Sequence, residues 1–294
     1  MNTFFLDRLN SEPHALAFAG QSTPWPVTLA DQSANPVLDE ALHTHADAAQ
    51  ALLYPVSADL LATTGRPVDL FGFEPNPARL GAAAAASASV PGIALAQLGA
   101  LLDAASLGYN PAVAKPVAVL GHSQGVLAVH MVQAIVEAGS IEAASAQIDE
   151  ILAIATLIGV AGTRQARQLG LAARHGEATP MLSVKDITRA QVDALIKRVS
   201  GARGPIAVAV TNSATHYVLS GYPEDLAAFG VEVAKEHKHQ AKLREEKVRG
   251  GRVFEPVLEY LDVTLPFHSP LMAEAVSQAV SWAESFGINA DHAR

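Results

Sequence analysis

The chain has 294 residues, 50% of them hydrophobic and 5% aromatic, with a mean hydropathy of +0.21, which excludes a disordered segment and allows one large α/β domain or two smaller ones. Its 20 Lys and Arg stand against 29 Asp and Glu, a net charge of −9 that argues against nucleic-acid binding. The absence of cysteine excludes disulfides and thiolate metal sites and points to a reducing cytoplasm.

The start, Met1 to Arg8, lacks the basic region and small-residue cleavage site of a signal peptide. No apolar run is expected to span a membrane, because Gly, Pro, Ser or a charge interrupts each one. Ala15–Ala19 reads as a first buried strand that ends in Gly20-Gln21 and then prolines, a loop at the carboxyl edge of a parallel sheet. Leu38 to Ala62 has helical spacing, Thr63 to Pro77 is loop-like, and Ala82 to Ala88 predicts a helix of small residues. A separate helix is expected to start at Ser89-Val90-Pro91 and run to Leu107-Gly108.

Val117–Leu120 is a short apolar run of the kind buried on both faces of a parallel sheet. Gln124 to Glu137 places Val126, Val129, Val132, Ala134 and Ile135 at helical spacing. Between them lies Gly121-His122-Ser123-Gln124-Gly125, a G-x-S-x-G pattern in the strand-to-helix setting of a nucleophile elbow. Both glycines have a steric reason: a side chain at either would strike the neighbouring strand or helix. Ser123 is then held in a strained corner at the start of a helix whose dipole favours negative charge.

Gly139-Ser140 predicts the end of that helix and the cap of the next, Ile141 to about Leu157. Beyond it the order is strand (Met181–Val184), helix (Thr188–Val199, capped by Asp186 or Thr188), strand pair (Ile206–Thr211 and His216–Ser220), helix (Pro223–His237) and strand (Leu261–Leu265). This β-α-β-β-α-β order is a split βαβ, ferredoxin-like unit. The expected fold class is α/β: a core from residues 1–176 and 265–294, with an inserted ferredoxin-like subdomain at 177–264. Lys235 to Arg252 reads as a basic loop, and His268 is hemmed in by Phe267 and two prolines.

Taken together, Gly20-Gln21, Gly121–Gly125, Met181–Thr188, Asn212 with Val218–Gly221, and Pro266–Met272 resemble the malonyl/acyl-transferase family of fatty-acid synthases. The likeness is greatest to the acetyltransferase domain of type I synthases of fungi and actinobacteria. The resemblance implies an α/β-hydrolase-like parallel sheet with the inserted ferredoxin-like unit. It further implies that Ser123 attacks the thioester of an acyl-CoA, that His268 acts as base and then acid, and that the N–H groups of Gln21 and Gln124 hold the oxyanion. The acceptor would be the phosphopantetheine thiol of an acyl carrier protein, with no permanently bound cofactor and no metal. Other synthase domains, a homo-oligomeric assembly and a cytoplasmic location are implied, with neither membrane nor nucleic acid as partner. In the family a backbone carbonyl orients the histidine, and here it is expected from chain beyond Arg294.

Malonyl-specific members carry an arginine that pairs with the free carboxylate; the matching position here is Ile158, which implies an acetyl or other short neutral acyl group. Arg164 is the nearby alternative. Asn212 matches a substrate-side asparagine of the family, and capping of its own turn explains it equally well. His122 and His130 read as packed residues, and His237 and His239 as a solvated face rather than a metal site. The rival function is an α/β-hydrolase-type thioesterase or esterase sharing the elbow. It needs an acid before the histidine, and Asp262 stands too near His268 in sequence to serve. A non-enzymatic module of a multienzyme is the third possibility.

Overall fold

A computed structural model of the chain describes residues 8–21, 24–65, 69, 86–171, 178–199, 201–245, 254–285 and 287. Contacts divide the chain into two compact units, Met1–Thr163 with Val276–Arg294, and Arg164–Ala275. The second unit is wider than the 177–264 segment read from the sequence, taking in the end of one helix and the Pro266–Ala275 stretch; Glu177 lies outside the described residues, as do 66–68, 70–77 and 82–85 of the expected loop and helix.

In the first unit β1 (Ala15–Phe18) is followed by α1 (Trp25–Ser33), α2 (Pro36–Leu52), α3 (Ser57–Thr64), α4 (Ala86–Ser106), the single turn α5 (Pro111–Ala114), β2 (Ala118–Gly121), α6 (Val126–Ala138) and α7 (Ser145–Gln168). The expected 38–62 helix is thus broken at Leu53, where a 3-10 turn, Tyr54–Val56, intervenes. Conversely, the two helices expected around Ser89 are one: Pro91 sits inside α4, where it removes a single N–H without ending the helix. Close approach is what the small residues of α4 provide. A Cβ at Gly92 would lie 2.4 Å from the Trp25 ring, and one at Gly99 2.3 Å from Gln32 Oε1.

α4 and α7 are long and apolar enough to cross a membrane by length and composition alone, contrary to the expectation from the sequence. Of their most apolar windows, 72% and 67% is buried within the protein, and a helix apolar on all sides is equally what a protein interior requires. The buried stripe of α6 agrees with expectation at Val132, Ala134 and Ile135 and differs at its start. Leu127, Ala128, Met131, Val132 and Ile135 face inward, whereas Val126 is 45% exposed. Gly139 ends α6 in the left-handed conformation at φ 90°, and the Ser140 hydroxyl accepts the Ala143 N–H, but α7 begins only at Ser145. Between α2 and α7, His45 Nδ1 meets Asp149 Oδ1 at 2.6 Å.

β1 and β2 pair in parallel, Ala15 opposite Ala118 through Phe18 opposite Gly121. β2 was expected to be buried on both faces; instead its residues are half-buried or exposed, Leu120 by 59%, because among the described residues only β1 flanks it.

The second unit contains β3 (Met181–Lys185), α8 (Arg189–Ile196), β4 (Ala207–Ser213), β5 (His216–Ser220), α9 (Pro223–Glu245) and β6 (Val257–Tyr260); α10 (Ala273–Ser285) leads the chain out of it. The sheet order β4-β5-β3-β6, with each adjacent pair antiparallel, is that of a ferredoxin-like unit. Leu182, Val184, Tyr217 and Leu219 of the sheet pack with Val192, Leu195, Leu226, Phe229 and Val233 of α8 and α9. Thr188, rather than Asp186, caps α8 in a capping box with Gln191. Two expectations are corrected here. The last strand is Val257–Tyr260 and not Leu261–Leu265, and α9 continues past His237 to Glu245, so that half of the expected basic loop is helix. Residues 246–252 of that run lie outside the described residues.

Candidate active site

Ser123 stands between β2 and α6, in a short 3-10 turn Ser123–Gly125, with φ 53°. A left-handed conformation strains a residue with a Cβ and is retained where the surroundings over-determine it. Here three glycines do so. A Cβ at Gly121 would lie 2.6 Å from the Gly125 carbonyl, and one at Gly125 would lie 2.3 Å from the Phe18 carbonyl oxygen. The third contact brings the other loop in: a Cβ at Gly20 would stand 2.8 Å from the His122 carbonyl oxygen and 3.2 Å from the Ser123 Cβ. The parallel pairing of β1 and β2 therefore delivers Gly20-Gln21 beside the elbow.

Side chains lock this arrangement. Gln21 Nε2 donates to Gln124 Oε1 at 2.6 Å, the Ser89 hydroxyl donates to Gln21 Oε1 at 3.3 Å, and Gln124 Nε2 donates to the Val90 carbonyl. Gln97 Nε2 donates to the Ala19 carbonyl at 2.6 Å. Ser89 and Gln97 were not singled out in the sequence. Their signal was available, as polar side chains on an otherwise apolar helix, but their partners are remote in the chain.

Ile158 lies on α7, half-buried in a run of otherwise buried residues from Ile151 to Gly162, and Arg164 is exposed. His122 is exposed, and His130 is half-buried. In the second unit, His268 is exposed and also left-handed at φ 56°; Ser269 Oγ donates to the Pro266 carbonyl at 2.7 Å just beside it. Asn212, exposed at the end of β4, donates from Nδ2 to His216 Nε2 at 3.4 Å, and the Ser183 hydroxyl meets the same nitrogen at 3.1 Å. His237 is not the solvated residue expected: its Nδ1 donates to the Phe254 carbonyl at 2.6 Å, while His239 is exposed. Asp262 lies past the end of β6 rather than within a strand.

Comparison with known proteins agrees with this architecture. Residues 180–260 match the family described as the fatty acid synthase central AT domain. The fatty acid synthase beta subunit hexB of Dothistroma septosporum is 27% identical over 169 residues, 53% of this chain and 9% of that protein. The chain thus spans a small part of that relative's length. Among solved structures, the malonyl CoA-acyl carrier protein transacylase of Clostridium perfringens is 17% identical with a TM-score of 0.55, over 95% of this chain and 69% of that one. Its counterpart from Coxiella burnetii is 20% identical, TM-score 0.55, over 93% and 68%. MCAT from Mycobacterium tuberculosis is 19% identical, TM-score 0.54, over 92% and 70%.

The chain therefore has the transacylase fold, an α/β-hydrolase-like core with a ferredoxin-like subdomain. Its resemblance is to an acyltransferase domain of fatty acid synthase.

Proposed function

We propose that this chain transfers a short neutral acyl group, acetyl first among them, from CoA to the phosphopantetheine thiol of an acyl carrier protein. The reading rests above all on backbone strain. Among the described residues, the non-glycine residues with positive φ are Lys115, Ser123, Asp186 and His268, and they include both the expected nucleophile and the expected base.

In this mechanism Ser123 Oγ attacks the thioester carbonyl while the imidazole of His268 takes its proton. The N–H groups of Gln21 and Gln124 receive the oxyanion, each such donor typically contributing about 3 kcal/mol to lowering the barrier. Collapse expels the CoA thiolate, which His268 protonates, and leaves an acyl-serine. The carrier thiol repeats the sequence in reverse, its proton going to His268 and the acyl group leaving Ser123. What supports the Gln21 assignment is the packing of Gly20 on the elbow together with the hydrogen bond from Gln21 to Gln124.

Acetyl preference rests on Ile158. A malonyl carboxylate placed against an apolar, half-buried side chain lacks a cationic partner, at a cost of several kcal/mol. The solved relatives named above as malonyl transacylases make this the sharper part of the proposal. Asn212 is assigned to the substrate side of the second unit, and the division into core and ferredoxin-like subdomain belongs to the same reading. Other fatty-acid-synthase domains are the expected partners, in the cytoplasm.

Intact-mass measurement after mixing with acetyl-CoA is expected to show one acetyl adduct that Ser123→Ala abolishes. No adduct, or an equal one on Ser123→Ala, would sink the proposal. Steady hydrolysis of acetyl-CoA without a thiol acceptor would mark a thioesterase instead.

A further inference from the structure

We propose that the cationic outer side of the last turns of α9 docks an acidic protein surface, that of the carrier bearing the acceptor thiol. This deepens the function proposed above and depends on it for the identity of the partner.

Because α9 is continuous to Glu245, Lys235, Lys238 and Lys242 recur at i, i+3 and i+7 and share one side. All three are exposed, as are His239 between them and Arg244 beyond. Of the carboxylates in these turns, Glu232 and Glu236 are engaged and turned inward, and Glu245 is exposed at the end of the helix. Glu232 takes Lys235 Nζ at 2.6 Å, and Glu236 takes Arg198 at 2.6 Å and Gln240 at 2.7 Å; the two acidic side chains are only 17% and 16% exposed. Arg198 and the exposed Lys197 continue the positive surface from the end of α8. Val231, 54% exposed and one turn ahead of Lys235 on the same side, adds the apolar contact that protein interfaces place inside a charged rim.

Complementing the helix dipole does not account for the pattern. That effect is confined to the last turn, which contains Lys242 and Arg244 but not Lys235 and Lys238. Nor does the shape suit a nucleotide phosphate. From Lys235 to Lys242 the charges are spread along about 10 Å of convex helix, whereas phosphates are held by donors converging in a concavity. A net charge of −9 repels long polyanions at a distance. A compact acidic protein surface suits the convex shape and meets the local positive charge at short range, within a Debye length.

The test is the triple variant Lys238→Glu/Lys242→Glu/Arg244→Glu in the full chain, with Lys238→Gln/Lys242→Gln as a milder second variant. Three rates are compared: loading of Ser123 from acetyl-CoA, transfer from the acyl-enzyme to free pantetheine, and transfer to a phosphopantetheinylated bacterial acyl carrier protein as probe. The first two are expected to be unchanged, and the third to fall about tenfold at low salt, the gap closing as salt rises. An unchanged third rate overturns the proposal, as does an equal fall in all three. A selective fall in loading would also overturn it, assigning these cations to CoA. Should the wild type never acylate Ser123, the transfer reading fails by itself. Calorimetric titration of the same carrier into wild type and triple variant still decides docking, weaker binding by the variant supporting it and equal binding refuting it.

Discussion

At the scale of single residues, the elbow is a steric problem with few solutions. Gly125 approaches the backbone of β1 so closely that an added methyl group must move either β1 or the elbow, and neither is a flexible side chain. Gly125→Ala is therefore expected to cost about 1–3 kcal/mol, read as a lower urea midpoint, and to abolish the acetyl adduct on Ser123. This much was legible in the sequence, because G-x-S-x-G between an apolar run and a helical pattern states a local requirement. The support given by Ser89 and Gln97 was not, since Gln97 meets the Ala19 carbonyl across a separation of 78 positions in the chain. At Ile158 the expected outcome concerns selectivity. Ile158→Arg should raise the malonyl-to-acetyl ratio of loading rates; no gain with malonyl-CoA would show that the selectivity position lies elsewhere.

At the scale of elements, α9 illustrates how a charge-rich run is misread. Lys235 to Glu245 looks like a loop when judged by polarity, yet leucine, lysine, glutamate and alanine there are strong helix formers. Its Glu236 is held below the usual carboxylate range, chiefly by the hydrogen bond from Gln240 and then by the one from Arg198. A carboxylate lowered in the folded state contributes stability that is present above its unfolded value, about 4.3, and lost as pH falls through the lower folded value. Urea titrations across that acid range are expected to show a steeper loss for wild type than for Glu236→Gln; parallel curves would remove Glu236 from the account. The neighbouring strand shows a different ambiguity. Leu261–Leu265 alternates apolar and polar whereas Val257–Tyr260 does not, yet the register against β3, with Tyr260 opposite Leu182 and Val257 opposite Lys185, selects Val257–Tyr260.

At the scale of the whole molecule, two cores imply two cooperative units. Phe229 is fully buried in the cluster beneath the ferredoxin-like sheet, which lies wholly within the second unit. Phe229→Ala should cost about 3–5 kcal/mol, seen in calorimetry as a downward shift of one transition while the other stays in place. A single transition that shifts as a whole would mean that the two units unfold together.

The amino-acid sequence by itself determined the elbow, the loop that reaches it, the β-α-β-β-α-β order and the lack of a cysteine nucleophile in the chain, because each follows from local sterics, spacing or composition. Only the tertiary structure decided that Leu127, Ala128 and Met131 rather than Val126 complete the inward stripe of the apolar-rich helix α6, that Pro91 lies within one helix, and that β6 precedes Leu261. Those choices depend on partners distant in the chain. When two neighbouring stripes or two adjacent runs are equally apolar, local pattern leaves them degenerate, and the contacts made in the packed core separate them.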